Sequence, residues 1–158
     1  MSVTPADVTY DTRRILCAVD HSEPSLRAVK LALDLAGKCG AQLTLLNVVR
    51  LPIATQQEIA DYLQNEHIHD MPAVVVREAA ENDLRLLRDR VAMHSGVAVS
   101  CEVRTGETAT EIVASARDHA IDLIVVGHRS HRRIAGTLLG SVARNVIELA
   151  PCPVLVVR

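Results

Sequence analysis

The sequence predicts an α/β protein built on a single open five-stranded parallel sheet with helices on both faces. Short runs rich in Val, Leu and Ile alternate with amphipathic stretches along the whole chain, as strands alternate with helices in parallel sheets. The runs are almost continuously apolar, which is typical of strands buried on both faces. No linker or low-complexity tract interrupts the 158 residues. We therefore expect one domain over residues 1–158, with its core from about residue 13 to residue 158.

The first third of the chain is expected to form a strand, a helix and a strand. Residues 14–20 are an apolar run that ends in aspartate, as in a buried strand. Ser22 can cap a helix whose first turn accepts Pro24, and Gly40 can end that helix. The expected apolar stripe of this helix consists of Leu26, Val29, Leu33 and Ala36. Residues 42–49 are the second expected strand.

The remaining elements follow from the same patterns. Residues 50–71 are the least legible stretch, with a short helix expected at 56–63. A long amphipathic helix is expected from about residue 73 to Gly96, with an apolar stripe of Val76, Ala80, Leu84, Leu87 and Val91. Thr108 and Glu111 have the spacing of a capping box. Strands are expected at 97–103, 121–126 and 154–157, and a last helix from Leu138 to Pro151.

The composition argues against several classes of partner. The chain has two Tyr, no Phe and no Trp, so it lacks the aromatic platforms on which single-stranded nucleic acids stack. A net charge of −2 gives no strong attraction to DNA or to an anionic membrane. The longest apolar runs fall short of the ~20 residues that cross a bilayer. The polar N-terminus lacks the pattern of a secretory signal, so we expect a cytoplasmic protein.

Cysteine and histidine spacing predicts no metal site. The four cysteines are far apart and form no C-x-x-C pair. Cys17 and Cys101 lie in strand-like runs, where buried and unreactive thiols are expected. His67 and His69 have no acidic or cysteine partner at a recognisable spacing.

Candidate functional residues are those that directly follow strands, because open α/β sheets bind ligands beyond the carboxyl ends of their strands. These positions are Asp20, Val48, Gly106 and Gly127. Further along, Gly140 and Ser141 fall in the first turn of the last expected helix, where free amides and the helix dipole favour phosphate. On their own, the glycines favour a simpler interpretation, in which Gly127 is a strand-to-loop turn and Gly140 is a helix-packing contact.

The chain resembles the universal stress protein family from about Arg13 to Arg158. The resemblance rests on the order of the strands, on Asp20-x-Ser22 after the first strand and on the closing residues 150–157, APCPVLVV. ATP-binding members carry Gly, two residues, Gly, nine residues, Gly and then Ser or Thr. Gly127, Gly140 and Ser141 keep this spacing, while Ser130 replaces the second glycine. The implied fold is Rossmann-like, of the adenine nucleotide alpha hydrolase-like type.

The resemblance also implies a ligand, ATP with Mg²⁺, and a role for each site residue. Asp20 would face the nucleoside, and Val48 would meet adenine through its backbone. The phosphate side would be lined by His128, Arg129, Ser130, Gly140, Ser141 and Val142. From the residues alone, Asp20 can equally cap the following helix, and Val48 can be ordinary core.

Three functions stay open at this point. The first is an ATP-binding stress-response or signalling module that acts as a nucleotide-dependent switch. The second is a dimeric adaptor with the same fold that does not bind nucleotide. An enzyme is the third, but no nucleophile and base pair can be named, so at most slow ATP hydrolysis is expected. In either of the first two cases, the apolar C-terminal strand should lie at a sheet edge and form a homodimer.

Overall fold

The computed structural model describes residues 11–50, 72–93, 95–128 and 139–158. In chain order its elements are β1 (Arg14–Ala18), α1 (Glu23–Cys39), β2 (Gln42–Val49), α2 (Pro72–Ala92), β3 (Val99–Thr105), α3 (Thr108–Asp118), β4 (Leu123–Gly127), α4 (Ser141–Leu149) and β5 (Val154–Val157). The short helix expected at 56–63 lies outside the described residues. Within those ranges, no helix combines the length and the apolar character that crossing a membrane requires.

The five strands form one parallel sheet in the order β3-β2-β1-β4-β5. β1 lies at its centre, where Cys17 pairs with Leu45 of β2 on one side and with Val125 of β4 on the other. The predicted fold class is confirmed, and β5 lies at an edge of the sheet as expected. Because β1 and β4 are neighbours, the direction in which strands are added reverses between them.

Helices cover both faces of the sheet. One core layer joins Ile15, Leu45 and Val125 to the alanines of α1 and to Leu84 of α2. The small alanine side chains let α1 approach the sheet closely. The opposite layer joins the next residues along the strands to α3 and α4, and its largest fully buried side chains are Leu16, Leu46, Ile112, Ile124 and Val146. This alternation follows from the two-residue repeat of a strand.

The apolar stripes of the helices are only partly buried. Leu84 of α2 is fully buried, but Val76 is 41% exposed, and Leu26 at the start of α1 is 42% exposed. Helical spacing correctly predicts which face of a helix turns towards the sheet. Helical spacing carries no information on where along the helix the sheet ends. For this reason the expected burial of Leu26 and Val76, at the outer ends of the two stripes, was wrong.

The carboxylate of Asp122 joins β1 to the neighbouring strand β4 at their amino ends. One oxygen of Asp122 accepts hydrogen bonds from the amides of Arg13 at 2.9 Å and Arg14 at 2.8 Å. The Asp122 amide in turn donates to the Arg14 carbonyl at 2.9 Å. These bonds satisfy amides that precede the sheet ladder and hold β1 in register with β4.

The helix caps confirm one prediction and correct another. Ser22 caps α1 by accepting the Ser25 amide, and Gly40 ends that helix with a φ of 66°. The cap of α3, however, is Glu107, whose carboxylate accepts the Thr110 amide at 2.8 Å. The capping box predicted at Thr108 is therefore wrong by one residue. A glutamate at the cap position was overlooked because shorter side chains are preferred there.

Replacing Glu107 with Gln should make the stability of the protein less dependent on pH. Hydrogen bonding from the Thr110 amide holds the pKa of the Glu107 carboxyl below its ordinary value of 4.5. The ionised carboxylate therefore stabilises the fold above that pH, and this contribution is lost as the pH falls through the lowered folded-state pKa. We expect wild type to resist urea better than E107Q at about pH 7, with a difference that shrinks towards about pH 3.

The measurement is urea denaturation followed by circular dichroism at a series of pH values. Glu148→Gln is the matched control, because Glu148 is an exposed glutamate in α4. The E148Q variant measures the effect of removing a glutamate charge that caps no helix. A constant difference between E107Q and wild type over this pH range would contradict the assigned cap.

Candidate functional site

The candidate site lies at the carboxyl edge of the sheet, where the order of the strands reverses. From β1 the chain goes on to β2 and β3 on one side, and β4 and β5 then extend the sheet on the other. The connections that follow β1 and β4 leave in opposite directions, and open α/β sheets form their ligand crevice at such a point. We call the region beyond the ends of β1 and β4 the candidate crevice. Most of the predicted site residues belong to segments that meet around this point.

Asp20 shapes the turn from β1 into α1. Its carboxylate accepts hydrogen bonds from the amide of Ser22, at 3.0 Å, and from the Ser22 hydroxyl. Between them, His21 adopts a φ of 60°, a left-handed conformation that such a side-chain turn tolerates. Asp20 is thus part of the structure that presents α1, although Ser22 and not Asp20 caps the helix. Its position just beyond β1 is also the one that a ribose-binding carboxylate needs.

The end of β2 contributes one predicted residue and one that sequence reasoning missed. Val48 is half-buried and packs into the core layer of α3 and α4, which leaves only its backbone for a ligand. Asn47 was not predicted. Its side-chain amide donates to the Val19 carbonyl at 2.8 Å, so it fixes the chain directly before Asp20. A polar residue inside the apolar run of β2 was the signal that could have identified it.

Gly127 ends β4 in close contact with α1. A Cβ atom at this position would lie 2.9 Å from the Pro24 carbonyl carbon and 3.0 Å from the Ser25 nitrogen. Such distances are shorter than any stable packing contact. The glycine is therefore required by the approach of a helix backbone, a packing reason that neither the predicted turn nor the predicted ligand contact had given.

The start of α4 presents backbone amides without a side-chain cap. Gly140 is the N-cap and has no side chain to cap the helix, and Ser141 is exposed in the first helical position. Val142 is half-buried and turns into the core layer of α3 and α4. The first turn of an α-helix leaves amides unpaired, and together with the helix dipole they attract anions.

A hydrogen bond places this helix start beside the end of β4. The Gly140 amide donates to the His128 carbonyl at 2.7 Å, and the His128 amide donates to the Val157 carbonyl at 2.7 Å. The structure therefore brings Gly127, His128, Gly140 and Ser141 together at the carboxyl edge. Arg129 and Ser130 lie outside the described residues, so their predicted roles stay predictions.

An ion pair joins the residue after β2 to the cap of α3. Arg50 follows β2 and lies 3.4 Å from the Glu107 carboxylate at the cap of α3. The Gly106 amide donates to the Val49 carbonyl at 3.1 Å, so the same loop is also tied to β2 through the backbone. Both charged groups are substantially exposed, so the pair adds little stability.

The described residues contain no group of three or more His, Cys, Asp or Glu that could hold a metal ion. The predicted buried thiol is confirmed for Cys17, whereas Cys101 is only half-buried. Cys17 is fully buried, and burial strongly raises the pKa of its thiol. Burial also raises the pKa of Cys101, whose thiol donates to the Leu84 carbonyl. Thiols with raised pKa values are poor nucleophiles.

These features define a doubly wound α/β protein whose strand order reverses between β1 and β4. The sequence profile of the universal stress protein family matches residues 11–158, and the chain belongs to that family. Universal stress protein YxiE of Bacillus subtilis is 32% identical over 148 residues, which cover 92% of this chain and 98% of that protein.

Solved structures show the same fold. Universal stress protein UspA from Lactobacillus plantarum matches with a TM-score of 0.76 at 28% identity, over 95% of this chain and 100% of that chain. A universal stress protein in complex with cAMP matches with a TM-score of 0.63 at 25% identity, over 94% of this chain and 98% of that chain. A structural neighbour of this chain thus binds an adenine nucleotide.

Replacing Gly127 with Ala should destabilise the fold. The added methyl group must displace the backbone of α1 at Pro24 and Ser25, and overpacking of this kind costs about 1–3 kcal/mol. Gly37→Ala is the matched control, because its new Cβ would meet only the Val97 side chain, at 3.7 Å. Inside a helix that change should stabilise by roughly 0.5–1 kcal/mol. Urea denaturation measures both, and equal effects would contradict the close contact.

Proposed function

We propose that this protein binds ATP, with Mg²⁺, at the carboxyl edge of its sheet and acts as a nucleotide-dependent switch in stress response or signalling. One observation carries the proposal. The first turn of α4, whose N-cap Gly140 has no side chain, is held against the end of β4 by the hydrogen bond from the Gly140 amide to the His128 carbonyl. Membership of the family and the cAMP complex of a relative support an adenine nucleotide as the ligand.

The proposed arrangement assigns the phosphates to the start of α4. Amides of its first turn and the Ser141 hydroxyl donate to phosphate oxygens, and Arg129 adds a positive charge near them. Asp20 accepts hydrogen bonds from the ribose hydroxyls, and the backbone of Val48 meets adenine beside Asn47. Mg²⁺ is bound chiefly through phosphate oxygens, as is usual for this ion.

Ser130 is the departure from the ATP-binding pattern of the family. Its hydroxyl can donate a hydrogen bond to a phosphate, so the substitution does not by itself remove the site. If the position requires a left-handed backbone, serine costs of order 1 kcal/mol. Ser130→Gly should accordingly leave ATP affinity unchanged or increase it.

A dimeric adaptor that binds no nucleotide is the second candidate. The close packing of Gly127 against α1 favours it, because that contact explains a motif glycine without any ligand. The cytoplasmic location expected from the N-terminal sequence is common to both candidates and stays a prediction.

Replacing Ser141 with Asp separates the two candidates. An acidic residue in the first turn stabilises a helix by about 0.3–1 kcal/mol through the dipole, so the fold should be retained. The same charge would repel a triphosphate, and we expect Mg-ATP binding to fall at least tenfold by isothermal titration calorimetry. Asn145→Asp adds a negative charge one turn further along α4 and should weaken binding much less.

The ultraviolet spectrum of the protein purified from cells is a first and simpler observation. With two Tyr and no Trp the chain absorbs weakly near 280 nm, so co-purified adenine dominates the spectrum. Wild-type protein that neither carries an adenine nucleotide nor binds added Mg-ATP would establish the adaptor. Equal binding by S141D and wild type would instead place the ligand away from α4.

We also propose a homodimer formed through β5. This strand is an edge strand, it is apolar, and its side chains are only half-buried. The carbonyls of Pro153 and Val157 face β4, so by alternation the amide of Val156 faces away from the sheet. An exposed apolar edge of this kind pairs with another strand unless it is protected.

Replacing Val156 with Pro should convert the dimer into a monomer. Proline removes the outward amide at a position where edge strands tolerate it. Light scattering should give about twice the chain mass of 17.1 kDa for wild type and the single chain mass for V156P. Val103→Pro makes the same change on the opposite edge, β3, and should leave the mass unchanged. A monomeric wild type at micromolar concentration would refute the dimer.

A further inference from the structure

His128 connects three elements at the carboxyl edge. Its amide donates to the Val157 carbonyl of β5 at 2.7 Å, and its ring Nδ1 lies 3.3 Å from the same oxygen. Its own carbonyl accepts the Gly140 amide at 2.7 Å. One residue therefore joins the end of β4, the end of β5 and the N-cap of α4.

The Val157 carbonyl determines which nitrogen of the His128 ring carries a proton. A carbonyl oxygen carries no proton, so the Nδ1 atom that faces it must be the donor. The two lone pairs of the Val157 oxygen can accept the amide and the ring at the same time. The His128 side chain, half-buried, is thereby directed towards the end of β5.

We propose that His128 is a positioning residue, which acts on the nucleotide site through Val157 instead of contacting phosphate with its ring. The proposal rests on the proposed function, because it assigns the way in which one residue of that site works. The ring holds the His128 main chain against β5, and the His128 carbonyl then holds the Gly140 amide at the start of α4.

This connection makes the edge strand and the phosphate-binding turn interdependent. A displacement of β5 at Val157 moves His128 and with it the acceptor of the Gly140 amide. A phosphate bound to the first turn of α4 fixes the same chain of hydrogen bonds from its other end. Nucleotide binding and the state of the β5 edge should therefore influence each other equally in both directions.

Two amide substitutions separate positioning from direct contact. In His128→Asn, the side-chain nitrogen occupies the place of Nδ1 and can still donate to Val157. The nitrogen of His128→Gln extends to about the place of Nε2, the ring atom that a direct ligand contact would use. H128N thus keeps the hydrogen bond to Val157 and loses a possible ligand contact, whereas H128Q keeps the possible ligand contact and loses the hydrogen bond.

If His128 is a positioning residue, H128N should bind Mg-ATP as tightly as wild type does, and H128Q should bind it more weakly. Losing one hydrogen bond should weaken Mg-ATP binding by roughly fivefold in H128Q, as measured by calorimetry. Amide hydrogen exchange of Gly140 in the nucleotide-free protein should be faster by a similar factor in H128Q only. The proposal would be overturned if H128Q kept the wild-type Mg-ATP affinity and Gly140 exchange rate while H128N lost them. Equal values for the two variants would also overturn it.

The exchange measurement keeps the two proposals distinguishable. If wild type binds no Mg-ATP, the proposed function fails, yet Gly140 exchange still decides whether the His128 ring holds the start of α4. If Mg-ATP binds and Gly140 exchange is identical in wild type, H128N and H128Q, the nucleotide site stands and the positioning role is refuted.

Discussion

The contact between the end of β4 and the first turn of α1 is the constraint on which the candidate site depends. Gly127 meets the backbone of Pro24 and Ser25 with no space for a side chain. This contact sets how close α1 lies to the sheet at the point where the strand order reverses. Asp20 and Ser22 then complete the turn through hydrogen bonds to each other, so the geometry of the candidate crevice follows from a packing requirement.

The apolar strands explain how the core of the sheet is filled almost without aromatic residues. Branched aliphatic side chains fill both layers, and residues such as Leu16 and Ile124 are completely buried. The alanines of α1 let the helix lie near the sheet without large side chains between them. The polar groups of the frame are concentrated at the two ends of the strands, where Asp122 and Asn47 bind main-chain atoms.

Sequence reasoning predicted the fold well, because burial on both faces leaves a periodic and almost purely apolar signal. It also placed the Ser22 cap and the Gly40 terminus, since both rest on local backbone chemistry. It failed where an outcome depends on distant parts of the chain. The role of Asn47 depends on the neighbouring strand, and the burial of Val76 depends on where the sheet ends. Gly127 looked like a ligand position, whereas its immediate neighbour is a helix about 100 residues earlier in the chain.

The strand order has a consequence for how the protein is made on the ribosome. β1, β2 and β3 are neighbours in the sheet and emerge one after another, so three of its five strands can assemble while synthesis continues. The free side of β1 stays open until β4 arrives, and β5 is made after β4. A prematurely terminated chain would thus keep part of its core but expose an unpaired central strand, which is a signal that chaperones and proteases recognise.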